Sequence, residues 1–202
     1  MTAVTDRIMK RVRGKGRGWV FTPKSFVDFG TRGSVDMALS RLARNGDIRR
    51  IGRGLYDYPR RHDTLGDLSP TPLNIATAQS HRSGDRIAPT GAAAANRLGV
   101  STQVPAKVGF ATTGRSRVLH AGGRNVTLRH SRAPVLDKVP DAVNTTIQLL
   151  AHLGRDKIDA DLIDTLASRL DDAAIKALLG ARGDMPGWMG DVVLKFDRAR
   201  NG

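Results

Sequence analysis

Residues 31–59, TRGSVDMALSRLARNGDIRRIGRGLYDYP, constrain the fold more than any other stretch of the chain. Val35, Ala38, Leu39, Leu42 and Ala43 recur at helical spacing and share one face, while Met37, Ser40, Arg41 and Arg44 fall on the opposite one. The spacing predicts a helix over 34–45, capped by Ser34 and ended by Gly46 in left-handed geometry. Residues 47–58 then place Ile48, Ile51, Leu55, Tyr56 and Tyr58 around a Gly52-Arg53-Gly54 turn. That is a short hairpin with a cationic tip.

The residues before this stretch extend the pattern. Residues 5–13 read as a helix with Ile8, Met9 and Val12 inward. The run Gly14-Lys15-Gly16-Arg17-Gly18 breaks it, either as a flexible basic turn or as a phosphate contact; it lacks the spacing and the terminal Lys-Ser/Thr of a Walker motif. Trp19-Val20-Phe21 reads as a buried strand. Thr22-Pro23 opens a brief helix that carries Phe26 and Phe29 inward and stops at Gly30. Helix, strand, helix, turn, helix and hairpin is the order of a winged helix-turn-helix.

Charge agrees with that order. Of a formal net charge of +14, residues 1–61 carry +10 and residues 62–202 carry +4. A fixed cationic field favours polyanions, because their binding releases condensed counterions. Arginine outnumbers lysine 25 to 8 and glutamate is absent. Arginine suits bidentate contacts to phosphate and guanine, although a GC-rich genome also raises its share.

Residues 59–72, PRRHDTLGDLSPTP, contain three prolines and few apolar side chains, which marks a linker. The expected division is therefore a DNA-binding domain over 1–61 and a second domain over 73–202. Thr71-Pro72 opens a weak helix to about Ser83. Residues 86–89 are extended, and Thr90-Gly91 starts an Ala-rich helix that closes at Gly99. Strands are expected over 107–112, 117–121 and 124–130, the last two joined by a Gly122-Gly123 turn. Val126, Leu128 and His130 alternate with Thr127 and Arg129, as in a half-buried strand. This makes a small mixed sheet over about 86–130.

Helical patterns fill about 141–198: Val143, Ile147, Leu150 and Leu153, then Ile158, Leu162, Leu166 and Leu170, then Ile175, Leu178 and Leu179, then Trp188, Val192 and Phe196. Aspartates gather there as caps and solvated faces, or as a surface for a basic partner. The fold class expected is α+β: an N-terminal winged helix-turn-helix, then a small mixed α/β domain with a helical C-terminal tail.

No enzyme constellation emerges. The five histidines form no ligand pair, Asp159-x-Asp161 lacks the remainder of a calcium loop, and no Gly-x-Ser-x-Gly elbow occurs. His120 and His130 face each other across the hairpin or lie separately on the surface. Neither a cofactor nor a metal is expected, and cysteine is absent. No run approaches the ~20 apolar residues of a membrane span, and no signal segment follows Met1, so the expected location is the cytoplasm.

The candidate DNA contacts follow from position. Arg32, Ser34, Met37, Ser40, Arg41 and Arg44 are candidates for the major groove, with Arg44 nearest the backbone. Arg49, Arg50, Arg53, Arg60 and Arg61 suit phosphates or a minor groove, and Lys24 joins them from the preceding helix.

Three motifs, VFTPKSF, SVDMALSRLARNGDIRRIGRGLYDYP and TGAAAANRLGVSTQVPA, resemble the AbiEi-type antitoxins of bacterial type IV toxin–antitoxin (abortive infection) systems. The resemblance covers the N-terminal third and residues 87–130. It implies a winged helix that binds inverted repeats in double-stranded promoter DNA and represses its own operon. It also implies a C-terminal domain that contributes to antitoxicity. The implied partner is a nucleotidyltransferase-like toxin, opposed without a stable complex. The rival expectation is an RNA-binding or toxin-directed interaction protein without operator-specific repression.

Overall fold

A computed structural model describes residues 3–103 and 108–201 and shows an α+β protein. Residues divide into two compact units, one of residues 1–85 with 118–126, the other of residues 86–117 with 127–202.

The N-terminal unit opens with α1 (Ala3–Lys15), whose Thr5, Ile8, Met9 and Val12 are buried. Strand β1 (Val20–Phe21) follows, and Pro23–Phe26 form a single 3-10 turn, shorter than the helix expected to reach Phe29. Helix α2 (Arg32–Arg44) buries Val35, Ala38, Leu39 and Leu42, as its spacing demands. It starts two residues earlier than expected, because the N-cap is Thr31 and not Ser34. Thr31 Oγ1 accepts from the Ser34 backbone N–H, and Ser34 Oγ donates to the Thr31 carbonyl at 2.8 Å. At its end the Gly46 N–H donates to Ala43 O and the Asp47 N–H to Leu42 O. That pair satisfies two terminal carbonyls, and Gly46, at φ 78°, supplies the left-handed residue it requires.

Strands β2 (Arg49–Gly52) and β3 (Leu55–Asp57) form a hairpin, and β1 joins it to give an antiparallel sheet of order β1-β3-β2. Phe21 and Phe26 meet edge to face at 5.4 Å beneath Trp19. With Ile8, Val12, Val35, Leu39 and Leu42 they make one core.

The stretch expected as a linker is structured. Strands β4 (Arg61–His62) and β5 (Gly66–Asp67) pair as an exposed hairpin, and the chain returns so that the Leu68 N–H reaches Arg60 O at 2.8 Å. Helix α3 (Pro72–Ser83), capped by Thr71, buries Ile75, Ala76, Ala78 and Gln79. It belongs to the N-terminal unit: Asn74 Nδ2 donates to Gly18 O at 2.8 Å. The boundary therefore falls after α3 and not at residue 61.

The second unit begins with β6 (Ile87–Pro89) and α4 (Gly91–Arg97). Strand β7 (Gly109–Thr112) is followed by β8 (Arg117–Ala121) and β9 (Arg124–His130). Lys107, expected to start β7, lies outside the described residues, as do the last three residues of the TGAAAANRLGVSTQVPA motif. The sheet order is β6-β7-β9-β8, with β6 and β7 antiparallel and β7 and β9 parallel, so the sheet is mixed as expected. Val126 and Leu128 are buried, but His130 is exposed and its Nδ1–H donates to the Gly114 carbonyl at the strand end instead.

Helices α5 (Asp141–Leu153), α6 (Ala160–Arg169), α7 (Asp172–Gly180) and α8 (Gly187–Asn201) complete this unit. Asp159 and Asp171 cap α6 and α7 with side-chain acceptors, which accounts for two of the clustered aspartates. Ala94 and Ala95 of α4 join Val143, Ile147 and Leu150 of α5, Leu166 of α6, Leu178 of α7 and Phe196 of α8 in a shared core. No described helix is long and apolar enough to cross a membrane.

One feature of the N-terminal unit is invisible to local pattern. Residues 118–126, which are β8 apart from Arg117, the turn and the start of β9, belong to it, and the Gly122 N–H donates to Ile51 O at 3.0 Å. A Cβ on Gly122 would lie 2.7 Å from the Pro70 ring, whereas one on Gly123 would meet nothing; both residues have positive φ. Gly122→Ala is therefore expected to cost more stability than Gly123→Ala. The control pays only left-handed strain of roughly 1–2 kcal/mol, and the test variant adds overpacking of about 1–3 kcal/mol. Urea denaturation measures both, and equal costs would show that the Pro70 contact carries no weight.

Candidate nucleic-acid interface

The surface assigned by sequence to DNA sorts into free and committed side chains. On α2, Met37 is 65% exposed, and Ser40, Arg41 and Arg44 are exposed beside it. Arg41 and Arg44 make no side-chain hydrogen bond or ion pair among the described residues. Two guanidinium groups one turn apart, with a hydroxyl and a thioether on the turn before them, form a face that donates hydrogen bonds and offers apolar contact. Major-groove edges present the matching acceptors and thymine methyl groups.

Two other α2 residues are less available. Arg32 Nε donates to Asp36 Oδ2 at 2.9 Å, one turn along the same exposed surface. Such an exposed pair exchanges readily with solvent or phosphate. Ser34 is half-buried and its hydroxyl is spent on the first turn, so it serves the cap and not the readout surface.

The hairpin divides in the same way. Arg50 and Arg53 are exposed, and Arg53 sits in the two-residue turn between Gly52 and Leu55. The turn is held from behind, because Arg82 Nη1 donates to the Arg53 carbonyl at 2.7 Å. Arg49 is different. Its Nε and Nη2 reach the two carboxylate oxygens of Asp57 at 3.0 and 2.7 Å, and Nη2 also donates to Leu68 O at 2.9 Å. The Asp57 side chain is 1% exposed. The hydrogen bonds to Asp57 raise the Arg49 pKa above its ordinary value. Arg49 thus neutralises a buried carboxylate and ties β2 to β3, which commits the guanidinium expected to meet phosphate to a partner within the protein.

Lys24 is exposed on the 3-10 turn. Arg61 lies 3.3 Å from Asp67 across the β4–β5 hairpin. Arg60 turns toward the Gly18 region, with its Nε 3.4 Å from Arg17 O. Two histidines singled out in the sequence do not meet: His120 bonds Asn125 and His130 bonds the Gly114 carbonyl. Among the described residues there is no cluster of three or more metal-ligating His, Asp or Glu.

Sequence reading passed over the α1 arginines. Arg11 pairs with both carboxylate oxygens of Asp28 at 2.9 and 2.7 Å and stacks on Phe29 at 3.9 Å, with Arg7 at 4.4 Å from the same ring. The Arg11 hydrogen bonds hold the Asp28 carboxyl below its ordinary pKa. Their helical spacing, i and i+4 on the polar face of α1, was the available signal.

No curated protein matches the chain. A family described as DUF6088, a family of unknown function, matches residues 7–178. That span runs from α1 into α7 and takes in residues of both units. The chain belongs to the DUF6088 family.

Proposed function

We propose that the protein is a double-stranded DNA-binding transcriptional repressor whose N-terminal unit is a winged helix-turn-helix. The observation that carries this reading is the outer face of α2, where Arg41 and Arg44 stand without partners beside Ser40 and Met37. Order and topology support it: helix, strand, turn, helix and hairpin, with the sheet arranged β1-β3-β2, is how a winged helix threads its chain. In this reading α2 enters the major groove, Arg50 and Arg53 meet the flanking backbone or minor groove, and Lys24 adds a phosphate contact. Arg32 contributes after releasing Asp36.

The proposal extends to an antitoxin role and autoregulation, both resting on the motif resemblance to AbiEi-type antitoxins. The partner would then be a nucleotidyltransferase-like toxin acting without a stable complex, and the site of action the cytoplasm. No enzymatic activity, cofactor or metal forms part of this reading.

A competition assay tests the DNA assignment. Fluorescence anisotropy at fixed salt should show the chain's own promoter duplex outcompeting both scrambled duplex and transfer RNA, by the 10³-fold or more typical of specific binding. Equal competition by transfer RNA would replace the reading with the RNA-binding alternative.

A further inference from the structure

Outside the readout face, the N-terminal unit carries a cleft of about 670 Å³ between the end of α1, β1 and α3. Its basic lining side chains are Arg11, Lys15, Arg17, Arg60 and the imidazole of His81, and no carboxylate is among the described residues that line it. Arg11 is neutralised by Asp28. Among the described residues no carboxylate pairs with Lys15, Arg17 or Arg60. Arg17 donates to the Pro59 carbonyl at 2.9 Å and lies 4.6 Å over the Tyr58 ring, so its partners are uncharged. Among the described residues Arg60 likewise has a carbonyl as its side-chain hydrogen-bond partner, that of Arg17. Lys15 and His81 are exposed and have no side-chain hydrogen bond or ion pair among the described residues.

We propose that this cleft binds a phosphorylated small molecule of nucleotide size. Lys15, Arg17 and Arg60 line one concavity without a carboxylate partner among the described residues, and a compact polyanion is the ligand that relieves their mutual repulsion. The volume lies within the range of small-molecule sites. Half-buried Trp19 supplies an aromatic wall, and Thr77 on the exposed side of α3 supplies a neutral hydroxyl. Together they match a ligand with an anionic end and a planar end. None of the lining residues lies on α2 or the β2–β3 hairpin, so this site is separate from the DNA face proposed above. Its concave form suits a compact anion better than a duplex backbone, whose phosphates sit on a convex ridge.

Isothermal titration calorimetry on the full chain tests this with pyrophosphate, ATP and, at equal ionic strength, sulfate. Pyrophosphate should bind one to one and at least tenfold more tightly than sulfate, and ATP at least as tightly as pyrophosphate. Lys15→Ala with Arg60→Ala should lose tenfold or more. Thr77→Trp, which fills the cleft from an exposed helical position, should lose as much, so that a folding defect in the first variant leaves the question answerable. Arg41→Ala with Arg44→Ala should change pyrophosphate affinity less than twofold, whether or not promoter binding survives. In a Trp188→Phe background, ATP should quench the fluorescence of Trp19, then the sole tryptophan. Equal affinity for sulfate and pyrophosphate, or full affinity in both cleft variants, overturns the proposal. So does a third result, in which pyrophosphate fails to bind while the cleft variants lose duplex affinity; the cleft would then be a contact for DNA phosphates.

Discussion

Replacing Arg41 and Arg44 together with alanine is expected to lower promoter-duplex affinity by about two orders of magnitude or more. Each such contact contributes about 1–3 kcal/mol, and both side chains are exposed on α2 with no hydrogen-bond or ion-pair partner among the described residues. The slope of log affinity against log salt should flatten by about one unit for each of the two that touches phosphate. A base contact would instead relax specificity at one position of the operator. Thermal stability should stay within about 0.5 kcal/mol, because exposed substitutions away from caps and pairs cost little. Anisotropy titrations across a salt series give the measurement. Unchanged affinity and slope in the double variant would remove α2 from any nucleic-acid interface and take the repressor reading with it. A companion growth and reporter assay separates the two proposed roles. Arg32→Ala with Arg41→Ala should abolish repression and leave rescue from a cognate toxin intact. Loss of both at equal protein level would show that one surface serves both.

Arg49→Ala is expected to act in the opposite way, reducing stability and leaving the salt slope unchanged. It strands Asp57, whose carboxylate is 1% exposed, without its charge partner. Breaking a buried pair from one side costs about 3–5 kcal/mol, and the one-third exposure of Arg49 places this case near the lower end. The double variant Arg49→Ala with Asp57→Asn should recover part of the loss, since no buried charge remains. Guanidinium denaturation of the three proteins reads the coupling directly. If Arg49→Ala keeps full stability and instead flattens the salt dependence of DNA binding, Arg49 is a phosphate contact and its pairing with Asp57 is incidental.

Much of this molecule is legible in short-range pattern. The buried stripe of α2, the turn around Arg53-Gly54, the Gly122-Gly123 turn, the Thr71 cap and the four C-terminal helices all follow from spacing and from residues no more than a few positions apart. Such features depend on backbone geometry that each segment carries with it. Even here neighbours compete: Thr31 and Ser34 both suit a cap, and the pattern alone favoured the wrong one by three residues.

What the chain's sequence determined by itself was therefore most of its helices and strands, its α+β class and the polar face of α2, but not the β4–β5 hairpin. The tertiary structure alone decided which of the arginines are free. Arg41 and Arg49 look alike in sequence, yet one faces solvent and the other is held by a carboxylate on the neighbouring strand. It also decided the unit boundary, since the short β4–β5 hairpin turns the chain back and lets α3 complete the first unit. A fragment ending at Arg61 would lack α3 and residues 118–126, and a fragment starting at residue 73 would carry both away from their partners. The physical reason is common to both. Charge pairing, strand docking and cleft formation depend on residues brought together from 8 to more than 60 positions apart, and chain pattern records what each residue can do but not which partner packing will place beside it.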